Sequence, residues 1–585
     1  MKSSKLTYPL LIAILFLASF LLATFDSGLF VYPSLSRSLL MECSLATFCI
    51  INIVTFIFNK KVISLKSYQV FLICWIGYVF VHSQFLVPAE MYRTRYLLIT
   101  LFFVLLLSND ILSQNISKHI ITDTIIIVGI IHIVFMAAQY LGLMKSDNEF
   151  FTITGANDNP NVTAVYMVGC LPFLVKKIAQ KERIILSLFL VVSFLVAIIV
   201  LKCRSAYIGI AMEILTFVVL YKPLYGKIKG FCHSYKYIFL MIIVGGGILV
   251  TTKLYTMKQS SAEGRIFIWK QTSHMITNNY VGYGYGLYDK NYNLFQAEYF
   301  KSNDATIEER TNASFVPMAY NDFMEQSIEG GLVGGIFLLL FYIVGIRKGI
   351  QNKMICETSV LVSFAIMSLT NFIYASIQPW LLVCCCWALV VSKEKQNEIG
   401  TNRFVNISFS LMVLIFVIYN TINVVEKTWA QIELNKIRGL QANGQIVEDD
   451  EFRNIEKKVD TSECFWRTRA ENMIRKEDYN NAIKCYEKAL EYSSAPSLFM
   501  GLHFSALKNN DKERSRKALV TIYNMIPSRL LPKYELMKSY ALDNDTSKVV
   551  MYADDILCTT EKRNTEIGER IKFEAGNLKQ KYTKK

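Results

Sequence analysis

The chain has 585 residues, of which 53% are hydrophobic and only 19% are charged, and its mean hydropathy is +0.32. These values exclude an ordinary soluble protein, and the length exceeds what a single membrane anchor needs. Much of the formal net charge of +15 falls in loops on one side of the predicted membrane. The positive-inside rule explains that distribution, so we expect no nucleic-acid partner.

Long apolar runs recur between Thr7 and Val425. A helix needs about 20 apolar residues to cross a bilayer, and on this criterion we count about 12–13 spans. Lys2 and Lys5 place the N-terminus in the cytoplasm, and an odd number of crossings places the C-terminus outside. The sequence therefore predicts an all-α fold, a polytopic helical bundle in a bacterial inner membrane.

Most of the 13 cysteines fall in or beside predicted spans, and the chain has neither a CxxC pair nor a Cys/His ligand spacing. Small thiols in such places usually pack as apolar groups. We therefore expect no metal site.

The polar stretch "TGANDNPN" precedes the sixth predicted span, residues 160–179, on the outer side. Pro160 favours the start of a helix and disfavours helix before it, so residues 157–159 are predicted to form a turn. The side-chain amides of Asn159 and Asn161 suit either sugar hydroxyls or helix capping. Capping is the commoner use.

A cation stands at the outer boundary between the seventh and eighth predicted spans, in "LKCRSAYIGI". Arg204 either anchors the span by reaching headgroup phosphate or binds an anionic substrate, and the sequence weights these two uses equally. In the second case, its permanently charged guanidinium forms bidentate bonds to a diphosphate.

Residues 253–325 form a long polar loop that the topology places outside. Arg265 is followed by Phe267 and Trp269 at the spacing of an amphipathic helix on the membrane surface. The next segment, "GYGYGLY", alternates glycine with Tyr283 and Tyr285. Glycine lets the backbone approach a glycan while tyrosine offers flat faces, but a tyrosine-rich turn packed on the membrane explains the pattern equally well.

The loop ends in "AYNDFMEQSIEGG" at the head of the tenth predicted span. Tyr320, Asn321, Asp322 and Glu325 bring polar groups to this helix start. Carboxylates near a helix N-terminus also complement its dipole. Their spacing alone therefore does not identify a base.

Residues 426–585 are charged, contain no apolar run of span length, and are predicted to form a separate soluble domain outside the cell membrane. The alanine pair Ala470 and Ala482 recurs as Ala506 and Ala518. This spacing is close to the tetratricopeptide period of about 34 residues. We predict an α-solenoid with a binding face, and a generic helical bundle is the alternative.

Four markers follow one another along the chain: the Asn-Pro-Asn turn, the Arg-Ser-Ala of the eighth span, the loop arginine with Gly-x-Gly-x-Gly, and Asn-Asp-Phe-x-x-Gln. Together they resemble the O-antigen ligase and O-antigen polymerase superfamily, over residues 1–425. Members with an exterior tetratricopeptide tail also look like this chain. The resemblance implies a GT-C-like scaffold and inverting transfer of a glycan from undecaprenyl diphosphate to an acceptor hydroxyl, without metal or cofactor.

By position, the resemblance assigns the donor diphosphate to Arg204 and Arg265. It places Asn159 and Asn161 near the donor and matches Asn321 to the motif at the end of the loop. The aromatic faces expected to contact the glycan are the rings of Tyr283 and Tyr285 in the glycine-rich turn.

The same resemblance leaves the general base open. Ligases of the family commonly have a histidine at the position of Tyr320, and a neutral tyrosine with a pKa near 10 is a poor base at pH 7. We therefore predict that Asp322 or Glu325 accepts the proton, with Tyr320 orienting a sugar. His274, the only histidine of the loop, is the third candidate.

Three acceptors fit such a site: a lipid A-core sugar for a ligase, a second lipid-linked repeat for a polymerase, and a protein hydroxyl for an O-oligosaccharyltransferase. The C-terminal domain favours a protein acceptor or a protein partner without excluding a glycan role. A lipid-linked glycan transporter is the main alternative class, but we find no clear repeat in the membrane part, and the notable arginines, Arg204 and Arg265, are predicted at the outer edge of the membrane. A non-catalytic scaffold would leave both arginines without purpose. We therefore predict ligase-like glycan transfer.

Overall fold

The computed structural model describes residues 4–58, 67–86, 92–112, 115–221, 259–302, 305–393, 403–559 and 565–583. These residues form 24 helices and no strand, which confirms the all-α fold class. They divide into two compact units. The first takes the described residues of 4–86, 92–221 and 320–435, and the second takes those of 259–319 and 436–583. The ninth predicted span, 236–252, lies outside the described residues.

The helices are numbered here in chain order. Those of the first unit are α1 Ser4–Leu22, α2 Pro33–Phe58, α3 Ser67–Phe85, α4 Tyr92–Leu112, α5 Lys118–Tyr140, α6 Pro160–Ala179, α7 Ile184–Leu201, α8 Arg204–Leu220, α12 Asp322–Glu329, α13 Gly331–Gln351, α14 Ile355–Met367, α15 Ile377–Val391 and most of α16 Arg403–Ala442. Those of the second unit are α9 Gln259–Asn278, α10 Tyr288–Lys301, α11 Ile307–Asn312, α17 Asp449–Val459, α18 Glu463–Arg475, α19 Tyr479–Leu490, α20 Pro496–Lys508, α21 Lys512–Met525, α22 Leu530–Leu542, α23 Thr546–Cys558 and α24 Glu566–Thr583.

Six helices among the described residues are long and apolar enough to cross a membrane. Their apolar segments are Pro33–Thr55, Thr94–Ile111, Lys118–Tyr140, Pro160–Ala179, Ile184–Leu201 and Gly331–Gln351. Three shorter apolar helices accompany them, at Tyr8–Leu22, Ile355–Met367 and Ile377–Val391. The set fits the predicted multi-pass membrane protein.

Gly345 marks a tight contact between α13 and α15. A Cβ atom at this position would stand 2.6 Å from Cδ1 of Trp387. The Trp387 ring is fully buried and stacks on Phe341 with 5.0 Å between ring centroids. Its Nε1 also donates a hydrogen bond to the Phe341 carbonyl at 2.9 Å. The ring is therefore held on two sides and has no room to yield.

We expect Gly345→Ala to lower the free energy of unfolding by about 1–3 kcal/mol, because the added methyl group overpacks the contact with Trp387. Thermal unfolding in detergent measures the effect as a lower Tm. Gly439→Ala is the matched control, since a Cβ on that glycine of α16 meets no atom within 4 Å. Alanine has the higher helix propensity, so the control should unfold no earlier than the wild type. Equal Tm values for both variants would contradict the packing argument.

The C-terminal helices of the second unit pack as successive pairs, α18 with α19, α20 with α21 and α22 with α23. Each pair turns on a residue with positive φ followed directly by an aspartate that caps the second helix: Glu477 and Asp478, Asn510 and Asp511, Asn544 and Asp545. The turns recur about every 34 residues, the period of tetratricopeptide repeats. The assignment to that repeat class stays a prediction.

Candidate active site

A short segment between α14 and α15, residues 368–376, connects two of the predicted motifs, and we call it the hub loop. The Asn371 side chain donates from Nδ2 to Oγ of Ser205 at 2.9 Å. Ser205 directly follows Arg204 at the start of α8. The hub loop therefore fixes the end of α8 that carries Arg204.

The same loop holds the start of α12. Asp322 donates its backbone N–H to the Ser368 carbonyl at 2.9 Å. Its carboxylate oxygen Oδ2 accepts from the backbone N–H groups of Ile373 and Tyr374 at 3.0 and 3.1 Å. The hub loop thus joins the Arg-Ser-Ala motif to the Asn-Asp-Phe motif within the first unit.

Asp322 is only 2% exposed. Burial raises the pKa of its carboxyl to about 8, against the opposing effect of its bonds to Ser368, Tyr374 and Ile373. Near pH 7 the group is therefore largely protonated, so few molecules have a free carboxylate there to take up a proton, while the oxygen Oδ2 still accepts the two backbone N–H groups. Glu325, the second predicted carboxylate, lies one turn further along α12 and is 1% exposed.

The raised pKa of Asp322 predicts a pH dependence of stability. An aspartate in the unfolded chain has a pKa of about 3.9, so between about pH 4 and pH 8 the folded state binds more protons. The contribution of this group is therefore complete below about pH 4 and is lost as the pH rises towards 8. Denaturant titrations in detergent at several pH values measure the free energy of unfolding. We expect this free energy to fall less for Asp322→Asn than for the wild type as the pH rises towards 8. The same pH dependence of the free energy of unfolding in both proteins would contradict the raised pKa of Asp322.

Arg204 is the first residue of α8, and its side chain is half-buried. The first turn of α8 contains no acidic residue. A helix N-terminus carries a partial positive charge, so an arginine there adds to that charge instead of cancelling it. A phosphate group would be favoured next to such a helix start. The binding of a diphosphate by Arg204 stays a prediction.

The start of α12 is capped and strained. Asn321 accepts at Oδ1 from the backbone N–H groups of Phe323 and Met324, at 3.1 and 3.2 Å. The preceding residue, Tyr320, has a φ of 52° and lies edge-on to Phe372 with 6.0 Å between ring centroids. A left-handed tyrosine is strained by about 1–3 kcal/mol, and such strain clusters at functional sites.

Gln326 is a candidate residue that the sequence did not reveal. Its side chain is fully buried, and neither Nε2 nor Oε1 has a hydrogen-bond partner within the described residues. Leaving a buried polar group unpaired costs about 1–3 kcal/mol, so such groups in native proteins usually meet water or a ligand. Gln326 follows Glu325 on α12 and is a further candidate for contact with substrate.

The Asn-Pro-Asn turn is tied to α5. Gln139 accepts at Oε1 from the Gly155 N–H at 3.0 Å and donates from Nε2 to the Gly155 carbonyl at 2.9 Å. Asn159 caps α6 by accepting from the Asn161 N–H at 2.9 Å, and α6 begins at Pro160 as predicted. The commoner of the two predicted uses of Asn159 is therefore present. The glycan contacts of both asparagines stay a prediction.

Arg265 and His274 lie on α9, where the sequence predicted an amphipathic helix. The Arg265 side chain is half-buried and the His274 side chain is exposed. Nine residues turn an α-helix by about 900°, so these side chains leave opposite sides of α9. Trp269 donates from Nε1 to the Ala319 carbonyl at 3.0 Å and so ties α9 to the end of the loop.

The glycine-rich turn after α9 depends on left-handed backbone. Gly282, Gly284 and Gly286 have φ values of 92°, 102° and 78°, a region that L side chains rarely adopt. Tyr285 is fully buried, whereas Tyr283 is half-buried. The Tyr285 ring is therefore inaccessible to a glycan in this conformation, whereas the Tyr283 ring is partly exposed. The glycan contact of Tyr283 stays a prediction.

A family model described as O-antigen ligase matches residues 161–339. The matched segment contains Arg204, Arg265, Asn321 and Asp322. No curated protein matches the chain. Together with the all-helical, multi-pass fold, the match supports the predicted superfamily and a role as a ligase-like or polymerase-like membrane glycosyltransferase.

Proposed function

We propose that this protein transfers a glycan from an undecaprenyl-diphosphate carrier to an acceptor hydroxyl on the periplasmic face of the inner membrane, in the manner of an O-antigen ligase. The observation that carries the proposal is the O-antigen ligase match over residues 161–339, which contains both arginines and the Asn-Asp motif. The hub loop supports it, because it hydrogen-bonds to the start of α8 and to the start of α12.

In the proposed reaction, the acceptor oxygen attacks the anomeric carbon from the side opposite the diphosphate. The new C–O bond forms as the bond to the phosphate oxygen breaks, so the anomeric configuration inverts. Arg204 and Arg265 each bind the diphosphate through charge-assisted hydrogen bonds and stabilise it as the leaving group. Neither the formation of the new C–O bond nor the release of the diphosphate requires a metal ion or a cofactor in this proposal.

The acceptor's proton leaves late in this displacement, so a carboxylate suffices as the base. We assign that role to Glu325, since the Asp322 carboxylate accepts the backbone N–H groups of the hub loop. Tyr320 orients the acceptor hydroxyl. His274 is the remaining candidate from the loop, on the side of α9 opposite Arg265.

Donor recognition is proposed for side chains near the helix starts. Asn159 uses Oδ1 to cap α6, which leaves its amide nitrogen to donate to a sugar hydroxyl. Asn161 and Asn321 supply further amides, and Tyr283 supplies a ring face. Tyr285 is fully buried and is proposed to support this turn.

The acceptor is proposed to be the sugar of lipid A-core, and a growing polymer or an envelope protein is the alternative. The test is surface analysis of a deletion strain complemented with wild type or Arg265→Ala. Loss of capped lipopolysaccharide supports a ligase, shortened polymer a polymerase, and unglycosylated envelope proteins an O-oligosaccharyltransferase. A surface unchanged in all three respects would overturn the proposal.

A further inference from the structure

The loop helix α10 covers the ends of two C-terminal helices. Lys290 donates from Nζ to the carbonyl of Glu491, the residue that caps the C-terminus of α19, at 2.8 Å. Gln296 donates from Nε2 to the carbonyl of Met525, the last residue of α21, at 2.7 Å. The helix α10 thus contacts the second helix of two consecutive pairs.

These contacts provide hydrogen-bond donors for carbonyl groups at the C-terminal ends of α19 and α21. The last carbonyl groups of a helix have no partner inside the helix and carry partial negative charge. A lysine and an amide donor from α10 supply both a hydrogen bond and, at α19, a favourable positive charge. The fit is therefore chemical as well as steric, and it is made by a segment of the same chain.

Further contacts fix the same helix. Asp289 accepts at Oδ2 from Ser493 Oγ at 2.8 Å, and its carbonyl accepts from Ser494 Oγ at 3.0 Å. Ala297 is buried in the hydrophobic cluster formed by the C-terminal helix pairs, which includes Ile522. The face that these helix ends present is therefore occupied by α10.

The helix α10 in turn fixes α9. The Phe267 and Phe300 rings stack with 5.7 Å between their centroids, and both are buried. The hydroxyls of Thr272 and Tyr288 are hydrogen-bonded at 2.9 Å. Arg265 lies two residues before Phe267 on α9, so a continuous set of packed contacts runs from the ends of α19 and α21 to the helix that carries it.

We infer that the C-terminal helices are a positioning module for Arg265, and that the partner of their occupied face is the loop helix α10. Lys290 and Gln296 are positioning residues that act through α9. The inference rests on the proposed function for the role of Arg265 and adds what holds that arginine in place.

The test is Gln296→Leu in the full chain, which keeps the side-chain volume and removes the donor to Met525, together with a second bond to the Ser314 carbonyl of the loop at 3.0 Å. Lys290→Met, which removes the side chain that donates to the Glu491 carbonyl at 2.8 Å, is therefore measured beside it. Two results are expected in detergent. Backbone amides of α9 exchange with deuterium about tenfold faster, because local opening of the helix becomes easier. The kcat/KM for an undecaprenyl-diphosphate-linked glycan falls about tenfold to a hundredfold per folded molecule, because a small displacement of a binding group costs much of its effect.

Glu298→Gln is the control, because that side chain lies on the same helix and is 75% exposed. It should change neither measurement. Lys290→Met repeats the test through the contact with α19 should Gln296→Leu not fold. Unchanged exchange in α9 overturns the inference, and so does faster exchange with full turnover. A wild-type protein that transfers no glycan overturns the proposed function instead, while the exchange data still report on the coupling.

Discussion

Arg265→Ala is expected to lower the rate of glycan transfer by about a thousandfold or more. Removing one preorganised donor from a developing oxyanion costs about a hundredfold to a thousandfold, and a permanently charged guanidinium on a diphosphate leaving group stabilises more charge than a neutral donor. The measurement is transfer from an undecaprenyl-diphosphate-linked glycan by purified protein. Loss should appear in kcat, since the charge develops as the bond breaks.

Two further arginine variants separate this role from general charge. Arg265→Lys keeps the charge and loses the bidentate geometry, so partial activity is expected. Arg310→Ala is the control from the same loop, because no binding or catalytic role is assigned to Arg310. Among the described residues, its side chain donates to the Ser302 carbonyl at 3.3 Å and lies 5.8 Å from the Phe300 ring. Near-wild-type transfer by Arg265→Ala would contradict the mechanism.

Arg204→Ala tests the second arginine of the proposed mechanism. If both arginines stabilise one leaving group, the double variant should lose far less than the product of the two single losses, because groups that act as a unit are not additive. Losses that multiply would indicate two independent roles. In that case Arg204 would be better explained as a span anchor.

Local features of this chain could be read from the sequence. The start of α6 at Pro160 and the helical segment around Arg265 follow from proline geometry and apolar spacing, both of which act within a few residues. The all-α class follows from the composition. The capping use of Asn159 was also foreseen as the commoner alternative, and the structure contains it.

The long-range contacts that form the candidate site could not be predicted from the sequence. Asn371 meets Ser205 across 166 positions, and Asp289 meets Ser493 across 204. No period or motif encodes such pairs. A local signal for the hub loop is the polar break "SLTN" between the apolar helices α14 and α15, but nothing in it indicates its partners. From the sequence alone Asp322 is interpreted as a base, because the backbone N–H groups that it accepts lie some fifty residues further along the chain.

Asp322→Ala is expected to lower transfer by about a hundredfold and the free energy of unfolding by about 2–6 kcal/mol. The substitution leaves the backbone N–H groups of Ile373 and Tyr374 buried without their acceptor, and each such loss costs about 1–3 kcal/mol. The hub loop then no longer fixes the start of α12. Transfer assays and denaturant titrations of the same preparation measure both effects.

Asp322→Asn decides between an anchor and a base. The asparagine side chain keeps a carbonyl oxygen that accepts both N–H groups, and at pH 7 it resembles the protonated acid that a pKa of about 8 implies. An anchor therefore predicts activity within about tenfold of wild type, whereas Glu325→Gln, which removes the proposed base, should lose about a hundredfold or more. If Asp322→Asn instead loses as much as Asp322→Ala while remaining fully stable, the titrating carboxylate itself accepts the proton, and the hub loop serves to place that base.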